Sequence, residues 1–144
     1  MIIQLSDWLF QGNWDSVGQR EYEQYDIRSI ICVMENNDRV FPPPSNSLNY
    51  LWCPFDDPGE TLTWEKLLII LRFTELFRSG KLLVHCYGGA NRSSAVCVLL
   101  LHKYGGLTCA EACQVVREKN VGMGIRSELT ARIRQLIGKE IADP

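Results

Sequence analysis

Residues 84 to 94 read VHCYGGANRSS and set a histidine, a cysteine, two glycines, an arginine and two serines within one short run. The apolar stretch KLLVH leads into this run, and SSAVCVLLLHKY, a helix-forming stretch, leads out of it. A turn between a buried strand and a helix N-terminus aims successive backbone N–H groups into one concavity, and the helix dipole adds positive potential there. Such a cup favours an oxyanion. Arg92, six residues after Cys86, can close it with a planar fork that holds two oxygens of one phosphate. Gly88 and Gly89 would permit backbone angles and a close approach that a side chain blocks. At the bottom of the cup, Cys86 is surrounded by N–H dipoles, a helix terminus and a guanidinium, all of which favour the nucleophilic thiolate over the thiol. Held beneath a bound phosphate, that sulfur is aimed at phosphorus.

This geometry requires a central strand that ends at the cysteine and a helix that begins near the arginine. KLLVH has the length and continuous apolarity of a buried central strand, and residues 27–34 and 50–53 read the same way. Strands covered on both faces imply a sheet with helices on each side. IIQL (2–5) and WLFQ (8–11) read as short edge strands, and Asp15 or Ser16 can cap a short polar helix that runs to about Gln24. NNDRVFPPPSNSLN is a surface loop, because three successive prolines can join neither a helix nor a ladder. TLTWEKLLIILRFTELFRSG predicts a long helix with Ile69, Phe73 and Leu76 along one face and Gly80 as its stop. Thr108 and Glu111 form a capping box for a helix to about Lys119, and an amphipathic helix follows over roughly 127 to 138. The expectation is one α/β domain over residues 1–144, with a mostly parallel sheet of about five strands flanked by helices and a site at the carboxyl end of KLLVH.

HCYGGANRS has the form H-C-x5-R-[S/T] and resembles the active-site loop of the cysteine-based protein tyrosine phosphatases. Its H-C-x-x-G-x-x-R-S wording and short chain make it most similar to the dual-specificity phosphatases, a resemblance that runs from LSDWLFQGNW through the capped helix near 108–119. The resemblance implies a tyrosine-phosphatase-like fold and no cofactor or metal. It implies Cys86 as the nucleophile that forms a phosphocysteine, with phosphate bound by the backbone of Tyr87, Gly88, Gly89, Ala90, Asn91 and Arg92 and by the Arg92 side chain. By the same resemblance His85 orients the loop and helps the thiolate, and the Ser93 hydroxyl stabilises that thiolate as it leaves. The chemistry also needs an acid to protonate the leaving oxygen and later to act as base on water. CPFDDPGE supplies one where the family carries it, and the assignment is Asp57 with Asp56 as the alternative. Asn120 departs from the family pattern, in which arginine is often found.

Plainer roles compete at each position. Ser93 could simply cap the following helix, and Asp56 and Asp57 beside Pro58 and Gly59 could be turn formers. His102 reads as a structural histidine, and Cys97, Cys109 and Cys113 as core cysteines without the partners zinc would need. Cys32 and Cys53 stand at strand positions that could approach Cys86, which would allow a reversible protective disulfide. A net charge of −2 with no Lys/Arg block leaves no electrostatic footprint for nucleic acid or an anionic membrane. No apolar run is long enough for a membrane span, and six scattered cysteines fit reduced thiols in the cytoplasm, or the nucleus, of a protein expected to be a monomer. The expected substrate is a phosphorylated protein, with phosphotyrosine and phosphoserine/threonine both reached. Phosphoinositides are an alternative, but Tyr87 and Ala90 stand where specialists for them tend to carry lysines. An RNA 5′-triphosphate fits poorly with an isoelectric point near 5.7. A binding module without turnover would have lost the cysteine, arginine or acid, and all three are present. A sulfur-transfer domain would not need an arginine at this spacing.

Overall fold

The computed structural model describes residues 1–35, 47–56, 59–88, 91–120, 129 and 131–136. Strands β1 (Ile3–Gln4), β2 (Leu9–Gly12), β3 (Ser29–Cys32), β4 (Asn49–Trp52) and β5 (Leu82–His85) form one sheet in the order β1-β2-β5-β3-β4. β1 runs antiparallel to β2 and every other pair is parallel. The helices are α1 (Trp14–Gly18), α2 (Trp64–Phe77), α3 (Arg92–Tyr104) and α4 (Cys109–Lys119), with further helical turns over 131–136. The molecule is therefore the α/β domain that the alternation of apolar runs predicts.

β5 is flanked on both sides, and its last residue pairs with Gly12 of β2 and with Cys32 of β3. Cys86 thus leaves the sheet at its carboxyl edge between two parallel neighbours, where ligands bind in open α/β sheets. Period-two alternation divides the strand residues between two cores. Leu9, Ile31, Leu82 and Val84 join α2, α3 and α4 on one face, while Phe10, Ile30 and Leu83 pack with Val17, Tyr22 and Ile27 on the other. Leu82, Leu83 and Val84 are fully buried, as a strand between two such layers must be.

Two local expectations are corrected. The cap of α1 is Asn13, not Asp15 or Ser16: its extended backbone directs its side chain onto the Ser16 N–H, and the Ser16 hydroxyl answers to the Asn13 N–H. That helix ends at Gly18, and Glu21–Tyr25 is a separate 3-10 turn entered and left through the left-handed Arg20 and Asp26. On α2 the buried face is Leu67, Ile70, Leu71 and Thr74, whereas Ile69 is 49% and Leu76 72% exposed. The run LLIIL is apolar all round, so periodicity alone could not choose a face. Thr74 joins the core because its hydroxyl donates to the Ile70 carbonyl at 2.8 Å and leaves only its methyl to pack.

Other elements stand as read. The long helix α2 gives way to a 3-10 turn ending at Gly80, and Thr108 with Glu111 forms the capping box of α4; the cap of α2, not read from the sequence, is Thr63. Most of the proline loop, residues 36–46, lies outside the described residues. No helix among the described residues is long and apolar enough to cross a membrane.

The corrected face of α2 has a measurable consequence. Ile70→Ala should lose about 2–5 kcal/mol in urea unfolding, and Ile69→Ala less than about 1 kcal/mol. Equal losses would contradict this orientation of the helix.

Candidate active site

The sulfur of Cys86 is almost wholly buried, at 3% residue exposure, and its nearest polar partner is the Ser93 hydroxyl, 3.3 Å from Sγ. Asn91 is the residue that precedes α3, and its side chain makes no capping bond. Ser93 lies one residue inside the helix, fully buried, so its hydroxyl serves the sulfur instead of capping the helix end. The same hydroxyl accepts a hydrogen bond from Gln11 Nε2 at 3.0 Å. Ser94 Oγ accepts from that amide at 2.6 Å, and Gln11 Oε1 accepts from Asn120 Nδ2 at 3.1 Å.

Arg92 opens α3 and reaches across to the segment after β4, where its Nη1 donates to the Phe55 carbonyl at 3.2 Å. Phe55 is fully buried, so the guanidinium is tied to rigid backbone one residue before the two aspartates. Asp56 is clasped by Thr61. Its carboxylate accepts from the Thr61 N–H at 2.8 Å and the Thr61 hydroxyl at 3.0 Å, while its own N–H donates to Thr61 Oγ1 at 2.9 Å. Partial burial works to raise this carboxyl, but the Thr61 bonds, with the N–H groups of Asp56 and Gly59, outweigh it and hold the group below its ordinary range. Asp56 is therefore an ionised turn clasp. Gly59 closes the turn at φ +99°, and a Cβ there would come within 2.5 Å of Leu129 Cδ1. Arg132, from the last helical segment, donates to the Leu62 carbonyl through Nε at 3.2 Å and Nη2 at 3.0 Å.

His85 is buried with its Nδ1 3.4 Å from the Cys86 carbonyl, and its Nε2 has no hydrogen-bond partner among the described residues. Burial lowers its pKa to about 4, against the opposing bond to the Cys86 carbonyl. The ring thus contacts the backbone of Cys86, and being neutral it brings no positive charge to the thiol at neutral pH. Tyr87 is turned toward α1. Its ring stacks on Trp14 with centroids 5.8 Å apart and planes 16° from parallel, and its carbonyl accepts the Trp14 N–H at 3.2 Å.

At Gly88 φ lies outside the left-handed region and a Cβ would meet no atom of the described residues within 4 Å, so neither backbone angle nor packing among those residues requires glycine there. Asp57, Gly89 and Ala90 lie outside the described residues. All six cysteines are free. Cys32 pairs in register with His85, on the sheet face opposite Val84, and Cys53 is turned to α2 with its Sγ 3.7 Å from the Lys66 carbonyl. His102 is satisfied by the Leu107 carbonyl at 2.7 Å.

Sequence reasoning overlooked Gln11, Thr61, Trp14 and the Phe55 carbonyl. Gln11 did leave a signal, since a glutamine two residues after Leu9 falls on the face that strand alternation assigns to the core.

Three comparisons place this geometry among known proteins. A family model described as dual specificity phosphatase, catalytic domain, matches residues 9–140. Mouse dual specificity phosphatase 28 is 30% identical over 148 residues, which cover 94% of this chain and 89% of the mouse protein. Among solved structures, human tyrosine phosphatase-like serine/threonine/tyrosine-interacting protein superposes with a TM-score of 0.83 at 20% identity, covering 97% of each chain. Human DUSP28 superposes with a TM-score of 0.81 at 22% identity, covering 97% of this chain and 95% of that one.

The buried imidazole makes stability depend on pH with a defined sign. The unfolded chain binds a proton near pH 6.5 that the folded chain refuses until about pH 4, so the folded state loses stability as pH falls through that window and no further below it. Urea unfolding of a His85→Gln variant, followed from pH 7 to pH 4, should therefore show a shallower fall than the parent. Identical slopes would mean that His85 titrates normally.

Proposed function

This chain belongs to the dual specificity phosphatases, the cysteine-based protein phosphatases that act on more than one kind of phosphorylated residue, and we propose that it hydrolyses phosphotyrosine and phosphoserine/threonine through a phosphocysteine on Cys86. The observation that carries this reading is a buried thiol at the carboxyl end of the central strand, 3.3 Å from a serine hydroxyl in the first turn of a thirteen-residue helix. Backbone N–H groups from Tyr87 to Arg92 and the Arg92 fork bind the phosphate oxygens.

In the first step Cys86 Sγ forms a bond to phosphorus as the P–O bond to the substrate breaks, and the departing oxygen takes a proton from Asp57. In the second, a water oxygen bonds to phosphorus while the S–P bond breaks. The electron pair returns to sulfur, where the Ser93 hydroxyl meets it, and the water's proton passes to the Asp57 carboxylate. Asp57 is the acid of choice because Asp56 is bound to Thr61 and held ionised. Tyr87 and Ala90 bring no second cation to the loop, which favours substrates with a single phosphate over polyphosphorylated headgroups.

The test is hydrolysis of p-nitrophenyl phosphate in EDTA and reductant. The parent should turn over and Cys86→Ser should not. Asp57→Asn should slow alkyl phosphates by about 10²–10⁴-fold while slowing p-nitrophenyl phosphate, whose leaving group needs little protonation, far less. A folded but inactive parent would establish a phosphate-binding module instead, and equal losses on both substrates would remove Asp57 as the acid.

A further inference from the structure

We propose that Gln11 and Asn120 are positioning residues that fix the direction in which the Ser93 hydroxyl donates, an inference that rests on reading Cys86 as the nucleophile. Gln11 is fully buried on β2, on the sheet face that turns toward α3. Its Nε2 donates to Ser93 at 3.0 Å and to Ser94 at 2.6 Å, and its Oε1 accepts from Asn120 at 3.1 Å. Ser93 Oγ lies 3.3 Å from Cys86 Sγ. A polar chain therefore runs from the end of α4, across β2, to the sulfur.

A hydroxyl has one proton and two lone pairs. With the Gln11 amide donating to one lone pair, the Ser93 proton is left for the thiolate, where a hydrogen bond to a charged acceptor counts for most. Turned over, the same amide would present Oε1 to Ser93, capture that proton and leave the sulfur facing a lone pair. The two orientations have almost the same shape, so the choice falls to whatever lies at the far end. Asn120 presents a donor there, which requires Oε1 to point toward α4 and the NH2 group toward the serines.

Asn120→Asp reverses this control, because a carboxylate can only accept and draws the Gln11 NH2 group to itself. The readout is the pH midpoint of Cys86 alkylation by iodoacetamide, followed by mass spectrometry of the peptide that carries it. The groups around that thiol are His85 on β5, neutral above about pH 4, and Cys32 on β3 and Cys97 on α3, both raised by burial. Arg92 at the start of α3 and Asp56 after β4 belong to the same site among the described residues, the proposed acid Asp57 adjoins Asp56 in sequence, and all are common to parent and variants.

Asn120→Asp should move the midpoint up by about one pH unit. In a Gln11→Leu background, which has no amide to turn, the same change should add nothing. An unchanged midpoint in folded Asn120→Asp would overturn the proposal. So would an equal shift with and without Gln11, since that would be the new charge acting through space. If Gln11→Leu does not fold, Ser93→Ala supplies the same comparison. Alkylation is read without turnover, so a parent inactive on p-nitrophenyl phosphate would defeat the proposed function while these midpoints still decide the relay.

Discussion

An almost wholly buried sulfur, on which the proposed function would place negative charge, is the constraint around which this fold is read. A buried charge is tolerated only where donors converge on it, and water cannot supply them at 3% exposure. The donors must come from the chain. A strand ending between two parallel neighbours delivers the sulfur, a helix beginning six residues later delivers oriented N–H groups, and Ser93 delivers a hydroxyl. Both sheet faces have to be covered for the strand to lie that deep, so the two-layer core around β5 follows from the needs of one atom.

The elements that position the site were legible because each is written in a short run of local sequence. KLLVH as a buried strand and the capping box at Thr108 and Glu111 hold in the structure as read, and a helix does begin at Arg92. The errors arose where local pattern was silent. The run LLIIL offers two apolar faces, and only the rest of the core selects between them. Asn13, Asp15 and Ser16 are all competent caps, and the extended backbone at Asn13 decides. Contacts such as Gln11 with Ser93 or Arg92 with the Phe55 carbonyl join residues far apart in the chain, and no periodicity announces them. The pH at which His85 takes up a proton is likewise a property of its surroundings, since burial keeps the ring neutral down to about pH 4.

The two halves of the site meet through backbone as much as through side chains. Arg92 is anchored to the Phe55 carbonyl, and the Asp56–Thr61 clasp starts at the next residue, so the arginine and the acidic turn share one reference frame. Tyr87 ties the nucleophile's loop to α1 in the same manner, with its carbonyl on the Trp14 N–H and its ring on the indole. The turn at Asp56 is thereby held to the same sheet edge from which Cys86 leaves.

That turn has a second support, from a distant part of the chain. Gly59 packs against Leu129, and the Leu62 carbonyl is held by Arg132. A single domain folds as a unit, once the elements that complete it have left the ribosome. The strand and helix on either side of Cys86 end by residue 104, whereas part of the support of the turn at Gly59 comes from residues 129 and 132. A nascent chain that has not yet reached residue 132 therefore carries the segment around Cys86 without the full brace on the turn at Gly59, and the two regions are set in place together once the segment over 131–136 has been made.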